Sequence, residues 1–167
     1  QQVREFYDSV GWKQAGEGLY QNARYEDLRP VAREYIHRCH RRVGRYLPDR
    51  GVRLLDAGSG PIQYPEYLEY SRGYRFRICV DLSVPGLRAA RAKLGDRGVY
   101  LQADISRLPI RDNSVDAITC NHVLYQIPEQ MQKDAFLELW RVLKPGGIAV
   151  IVYWWAKPSL PHRLGRV

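Results

Sequence analysis

The stretch Val52-Arg53-Leu54-Leu55-Asp56-Ala57-Gly58-Ser59-Gly60-Pro61 decides the fold. Its first half is a short apolar run of strand character closed by a carboxylate. Its second half is a tight turn whose glycines let the backbone approach a ligand closely. Two ligand classes use such a turn. A dinucleotide fold asks for Gly-x-Gly-x-x-Gly, but the third glycine position is Gln63, and Asp56 would lie beside an anionic pyrophosphate. A ligand carrying an ammonium and a sulfonium centre suits a carboxylate there better, because charge-assisted hydrogen bonds are about twice as strong as neutral ones. The charge of Asp56 therefore points to a cationic amino-acid ligand.

Working outward, apolar residues at helical spacing (Leu28, Val31, Ala32, Tyr35, Ile36, Cys39, Val43, Leu47) predict a helix over 26–47, stopped by Pro48. After the glycine turn a helix is expected from about Gln63 to Tyr70, then a strand over Phe76–Asp81. Ser83 is positioned to cap a helix that runs to Gly95 with Pro85 in its first turn. Strands follow at Val99–Leu101, ahead of Asp104, and at Val115–Cys120. A helix runs from Ile127 to Leu143, ended by Lys144-Pro145-Gly146-Gly147, and a fifth strand covers Ile148–Trp155. This alternation predicts a doubly wound, mostly parallel, Rossmann-like α/β sheet with helices on both faces and its ligand crevice at the carboxyl ends of the strands. Three strand ends carry acids there: Asp56, Asp81 and Asp104.

A length of 167 residues leaves room for one domain with a sizeable core, and 45% hydrophobic with 26% charged residues is ordinary for a folded globular chain. The expected division is an amino-terminal lid and first helix over 1–47, a core over 48–156 and a tail over 157–167. No apolar run approaches the roughly 20 residues that span a bilayer, so no membrane is expected. Cys39, Cys79 and Cys120 form no disulfide pattern, which suits a reducing, cytoplasmic setting. The net charge of +8 could attract nucleic acid, but the arginines are scattered, and the dense stretch His37 to Arg42 falls within a helical pattern as a solvated face.

At this point the chain resembles the class I S-adenosylmethionine-dependent methyltransferases, in their type 11 or UbiE-like small-molecule group. The motifs are Leu54 to Gly60, Val80-Asp81, Ala103-Asp104-Ile105, Pro109, Ser114-Val115-Asp116, His122-Val123-Leu124 and Leu139-x-Arg141-Val142-Leu143-Lys144-Pro145-Gly146-Gly147. The resemblance implies S-adenosylmethionine as cofactor. Gly58, Ser59 and Gly60 would run along its methionine part, Asp81 with Leu82 would hold the ribose, and Asp104 with Ile105 would meet the adenine. Asn121 would line the same site, and Asp56 would support the turn and meet the ammonium through water. Where many members have a third glycine this chain has Ile62, so the loop is expected to be less open near the methionine tail. Members of this group also continue past the fifth strand into a seven-stranded sheet; the last strands are not visible here, so the chain reads as part of a longer protein.

The reaction implied is in-line methyl transfer to a small-molecule acceptor, a task of alignment and water exclusion that needs no metal. His122 and Tyr125, just past the fourth strand, are the candidate catalytic residues, either as a base or as cavity lining. Phe6, Tyr7, Trp12, Tyr20 and Tyr25 are read either as a lid or as ordinary packing. His37 and His40 lie one helical turn apart, but no further ligand cluster is visible, and no metal is expected. A non-catalytic cofactor-binding or interaction domain is the alternative function. RNA methylation is disfavoured, because Asn121-His122-Val123-Leu124 stands where nucleic-acid amino-methyltransferases carry Asn-Pro-Pro-Tyr.

Overall fold

The computed structural model describes residues 2–15, 20–22 and 30–153. Tyr25, Leu28, Trp154, Trp155 and the tail over 157–167 lie outside the described residues. In order, the elements are α1 (Gln2–Phe6), a π-turn (Tyr7–Gly11), α2 (Pro30–Gly44), β1 (Gly51–Ala57), α3 (Pro65–Glu69), β2 (Tyr74–Asp81), α4 (Val84–Leu94), β3 (Gly98–Gln102), β4 (Val115–Asn121), α5 (Glu129–Val142) and β5 (Leu143–Val152).

The five strands form one parallel sheet in the order β3-β2-β1-β4-β5. Strand order therefore reverses between β1 and β4, and their carboxyl ends flank the crevice that such a switch point creates. Alternation along the strands sorts side chains to two faces. Leu54 and Ala117 pack with Val43 and Leu47 around α2, while Cys79 meets Leu87 and Ala90 of α4. Leu55, Ala57, Ile118 and Cys120 point the other way, against Ala135, Leu139 and Val142 of α5. Burial on both faces is why Leu54-Leu55 of β1 and Ala117-Ile118 of β4 stand as consecutive apolar pairs.

Local signals explain most boundaries. Ser83 caps α4, its hydroxyl accepting from the Gly86 amide at 3.2 Å, and Gly95 ends it at φ 56°. The first long helix stops at Gly44 instead of Leu47, because Arg45, Tyr46 and Leu47 wind down through bonds to carbonyls three residues back. The second helix is shorter than expected, beginning only at Pro65. The last strand starts earlier, at Leu143, and the Pro145-Gly146-Gly147 segment is absorbed as an irregularity: Val115 pairs with Leu143 but Ala117 with Ile148. Lys144 also donates to Asp116 Oδ1, while Asp116 Oδ2 accepts from the amides of Val52 and Arg53, so one carboxylate joins the starts of β1, β4 and β5.

The sheet centre contains a charge. Arg77 of β2 is 1% exposed and Asp56 of β1 is 5% exposed. Arg77 Nε and Nη2 donate to Asp56 Oδ2 at 3.1 and 2.5 Å, and Thr119 of β4 donates to Oδ1 at 3.1 Å. Arg77 also donates to the Tyr67 carbonyl of α3. Removing one member of such a pair strands a buried charge. We expect Arg77→Met to cost about 3–5 kcal/mol in equilibrium denaturation, and the double variant Asp56→Leu/Arg77→Met to recover most of that loss.

Candidate functional site

A cavity of about 1300 Å³ opens at the carboxyl ends of the strands. One part of its wall is the glycine turn. Gly58 and Gly60 sit at φ 73° and 49°, the left-handed region open to glycine. Space adds a second constraint: a Cβ on Gly58 would lie 2.3 Å from Val123, and one on Gly60 would lie 2.7 Å from the Trp12 ring. Ile62 follows the same left-handed path at φ 51°, a strained choice for a β-branched residue. Its side chain is 1% exposed and packs with Cys79, Leu87 and Ala90, which hold the backbone there. The narrowing anticipated from Ile62 is thus offset, because its side chain is anchored in the core under α4.

Asp81 ends β2 and ties the turn to it. Its Oδ2 accepts from the Gly60 amide at 2.7 Å and its Oδ1 from the Ser83 amide at 2.8 Å. Burial raises its pKa above the ordinary carboxylate value even though these bonds pull the other way. Leu82 adds an exposed apolar side chain at the rim. Asp104 lies across from it in the loop after β3, where Ser106 donates to Oδ1 from both amide and hydroxyl at 2.8 Å. Arg141 shapes that loop, donating to the carbonyls of Leu108 and Ile110 at 3.0 and 2.8 Å, while Glu138 accepts the Leu108 amide at 2.7 Å. Gly58, Ser59, Asp81, Leu82, Asp104, Ile105 and Asn121 all line the cavity.

Asp56 does not. Its charge, expected beside the ligand, is instead paired with Arg77 inside the sheet, beneath the turn. The signal was present in the sequence: β2 carries two arginines, and one of them, Arg77, stands between the apolar Phe76 and Ile78. Gly60 also contributes through its amide, with Trp12 covering its open side.

The segment after β4 forms the other end of the cavity. Asn121 Oδ1 is buried there without a hydrogen-bond partner. His122 has φ 60°, a strained backbone fixed by its amide bond to the Val152 carbonyl at 2.9 Å. The surrounding walls desolvate its imidazole and lower its pKa. Burial raises that of Tyr125, whose ring stands edge-on to His122 at 6.2 Å. A neutral imidazole can accept a proton, whereas a neutral phenol is confined to donating a hydrogen bond or accepting through its oxygen lone pairs. His40 on α2, expected on a solvated face, is instead buried, with Tyr64 and Tyr67 rings at 4.3 and 4.8 Å. Burial pushes the His40 imidazole down to about 4 against the pull of Glu66.

The amino-terminal aromatics close the turn. Trp12 stacks on Tyr7 at 4.7 Å and meets Tyr20 edge-on at 5.9 Å, and its indole lies over both Gly60 and Gly86. Tyr7 donates to Gln126 at 2.9 Å, and Gln126 donates in turn to the His122 carbonyl at 2.5 Å.

Residues 55–151 match the model of a family described as a methyltransferase domain. The chain belongs to that methyltransferase family. It is 33% identical over 147 residues to the ubiquinone/menaquinone biosynthesis C-methyltransferase UbiE of Azotobacter vinelandii, a match covering 82% of this chain and 56% of that protein. The chain thus spans about half the length of the curated relatives it matches. Among solved structures, the [4+2]-cyclase SpnF superposes with a TM-score of 0.65 at 25% identity, over 90% of this chain and 58% of that one. An S-adenosylmethionine-dependent methyltransferase from Mesorhizobium loti gives 0.57 at 26% identity, over 66% and 50%.

The methyltransferase domain's desolvated His122 supplies a direct test. Its folded pKa lies below the unfolded value of about 6.5, so the stability from keeping it neutral is present above pH 6.5 and lost as pH falls through the folded pKa. In an NMR titration its ring protons should shift at a pH below 6.5, and a midpoint at or above 6.5 would contradict the environment described.

Proposed function

We propose that this domain binds S-adenosylmethionine and transfers its methyl group to a small-molecule acceptor held in the same cavity. The observation that carries this reading is the joining of Asp81, Asp104 and the glycine turn at one end of a single cavity with His122, Tyr125 and His40 at the other. Its size supports two occupants, since pockets for one drug-sized ligand measure roughly 300–1,000 Å³.

The residues present fit the cofactor. Gly58 lies in the cavity wall and the buried Gly60 ties the turn to Asp81, Asp81 and Asp104 are hydrogen-bond acceptors for ribose hydroxyls and an adenine amino group, and the unpartnered Asn121 Oδ1 awaits a donor. Leu82 and Ile105 give a flat ring apolar contact. When bound, S-adenosylmethionine would supply an electrophilic methyl on sulfur, open to in-line attack with S-adenosylhomocysteine as the leaving group. The chain's own contribution is alignment and dryness. His122, held neutral, is the base where the acceptor must lose a proton, and Tyr125 orients the acceptor. Tyr7 and Trp12 act as a cover over the turn.

The apolar and aromatic wall of Ile36, Tyr64, Tyr67, Tyr125 and Met131 suits an acceptor with a ring body, in keeping with the C-methyltransferase named among the relatives. A second reading is favoured by the superposition on a protein named as a [4+2]-cyclase: the cofactor site is retained while the cavity holds a substrate that is not methylated.

Calorimetry with S-adenosylhomocysteine and NAD tests the binding, and tight NAD binding without response to the adenosyl ligand would overturn it. Asp81→Ala removes two charge-assisted hydrogen bonds of about 1.5–3 kcal/mol each before compensation, so affinity should fall at least tenfold (about 1.4 kcal/mol). S-adenosylhomocysteine release against a panel of acceptors separates the two readings. With an acceptor found, His122→Ala should lower turnover by about 10²–10⁴-fold and leave cofactor affinity unchanged.

A further inference from the structure

His37 and His40 stand on one face of α2, a helical turn apart. The fold brings Glu66, the second residue of α3, against both. Glu66 Oε1 lies 2.5 Å from His37 Nδ1, and Oε2 lies 3.7 Å from His40 Nδ1. One donor atom from each of the three residues falls within 4.8 Å of the others.

The His37–Glu66 contact alone would be a hydrogen bond between two helices. It leaves two atoms unexplained, because His40 Nδ1 and Glu66 Oε2 are both buried and neither has a hydrogen-bond partner. His40 is 8% exposed, so water does not readily replace the missing partner. The two atoms face each other at 3.7 Å, too far for a hydrogen bond, so their mutual attraction offsets only part of the desolvation cost. A cation between the three residues satisfies both atoms at once.

We propose that His37, His40 and Glu66 form a binding site for a divalent transition metal, best matched to Zn²⁺, on the wall of the acceptor end of the cavity. Two imidazoles and one carboxylate form a donor set that Zn²⁺ takes in tetrahedral geometry with a fourth position open. Bonds of about 2.0–2.1 Å in a tetrahedron put the ligand atoms about 3.3 Å apart. The observed 2.5 and 3.7 Å fall on either side of that value and the three atoms lie within 4.8 Å of one another, so binding requires side-chain rotations that draw them together. His37 is 39% exposed at its side chain, which gives the ion an entry path, while His40 lines the cavity. An oxygen donor on the acceptor would complete the coordination and become more acidic there. That last step rests on the methyl-transfer reading; binding of the metal does not.

The test titrates Co²⁺ and then Zn²⁺ into the metal-free chain. We expect one Co²⁺ per chain with the visible absorption of a four- or five-coordinate ion, displaced by Zn²⁺. His37→Ala and Glu66→Gln should each weaken Zn²⁺ binding by at least about 100-fold in calorimetry, with S-adenosylhomocysteine affinity unchanged as proof that the fold survives. Cys39→Ser, at an exposed thiol on the same helix, should bind Zn²⁺ as the parent does. Absence of stoichiometric binding, binding that persists in both His37→Ala and Glu66→Gln, or its loss in Cys39→Ser would each overturn the site.

Discussion

The buried ion pair between Arg77 and Asp56 constrains everything above it. It joins β1 to β2 directly, reaches β4 through Thr119 and α3 through the Tyr67 carbonyl, and lies directly beneath the glycine turn. Desolvating two charges is costly, so such a pair is weak evidence for added stability, but it accepts only one arrangement of its partners. That arrangement holds β1, β2, β4 and α3 in one relation to each other. It also cancels Asp56 electrostatically, leaving Asp81 and Asp104 as the carboxylates that reach the cavity from the ends of β2 and β3.

This division of labour explains which parts of the molecule were legible in the sequence. The sheet, its parallel sense and the crevice followed from periodicity and from acids at strand ends, features that depend on each segment separately. Asp81 and Asp104 could be placed for the same reason: each stands where a strand meets its loop. Asp56 looked identical by that criterion, and what distinguishes it is a partner 21 residues away on the neighbouring strand. Its apparent role as a ligand-facing charge was an inference from position without register. The boundaries of α3 and β5 were obscure because they are set by Pro65 and by a strand irregularity whose pairing lies in β4.

The same physics hid the second half of the site. His40 reads as part of a solvated basic stretch, yet the turn of α2 sends it inward against Tyr64, Tyr67 and Glu66, all from beyond β1. No local pattern announces a cluster that joins His40 to residues 24–27 positions away. Trp12 was legible as an aromatic near the start of the chain, but that it covers Gly60 and Gly86 depends on both glycines lacking a Cβ, a property visible only once three segments meet.

The contacts of Tyr7 and Trp12 link the two ends of the cavity through short steps. Trp12 rests on the glycine turn, where the cofactor's methionine part is proposed to lie, and stacks on Tyr7. Tyr7 bonds to Gln126, and Gln126 bonds to the carbonyl of His122, the strained residue at the acceptor end. A ligand that moves Trp12 must therefore disturb a stack and a hydrogen bond that bear on His122. The glycine turn and the acceptor end are thus joined by a continuous chain of side-chain contacts that ends at a backbone in the left-handed region.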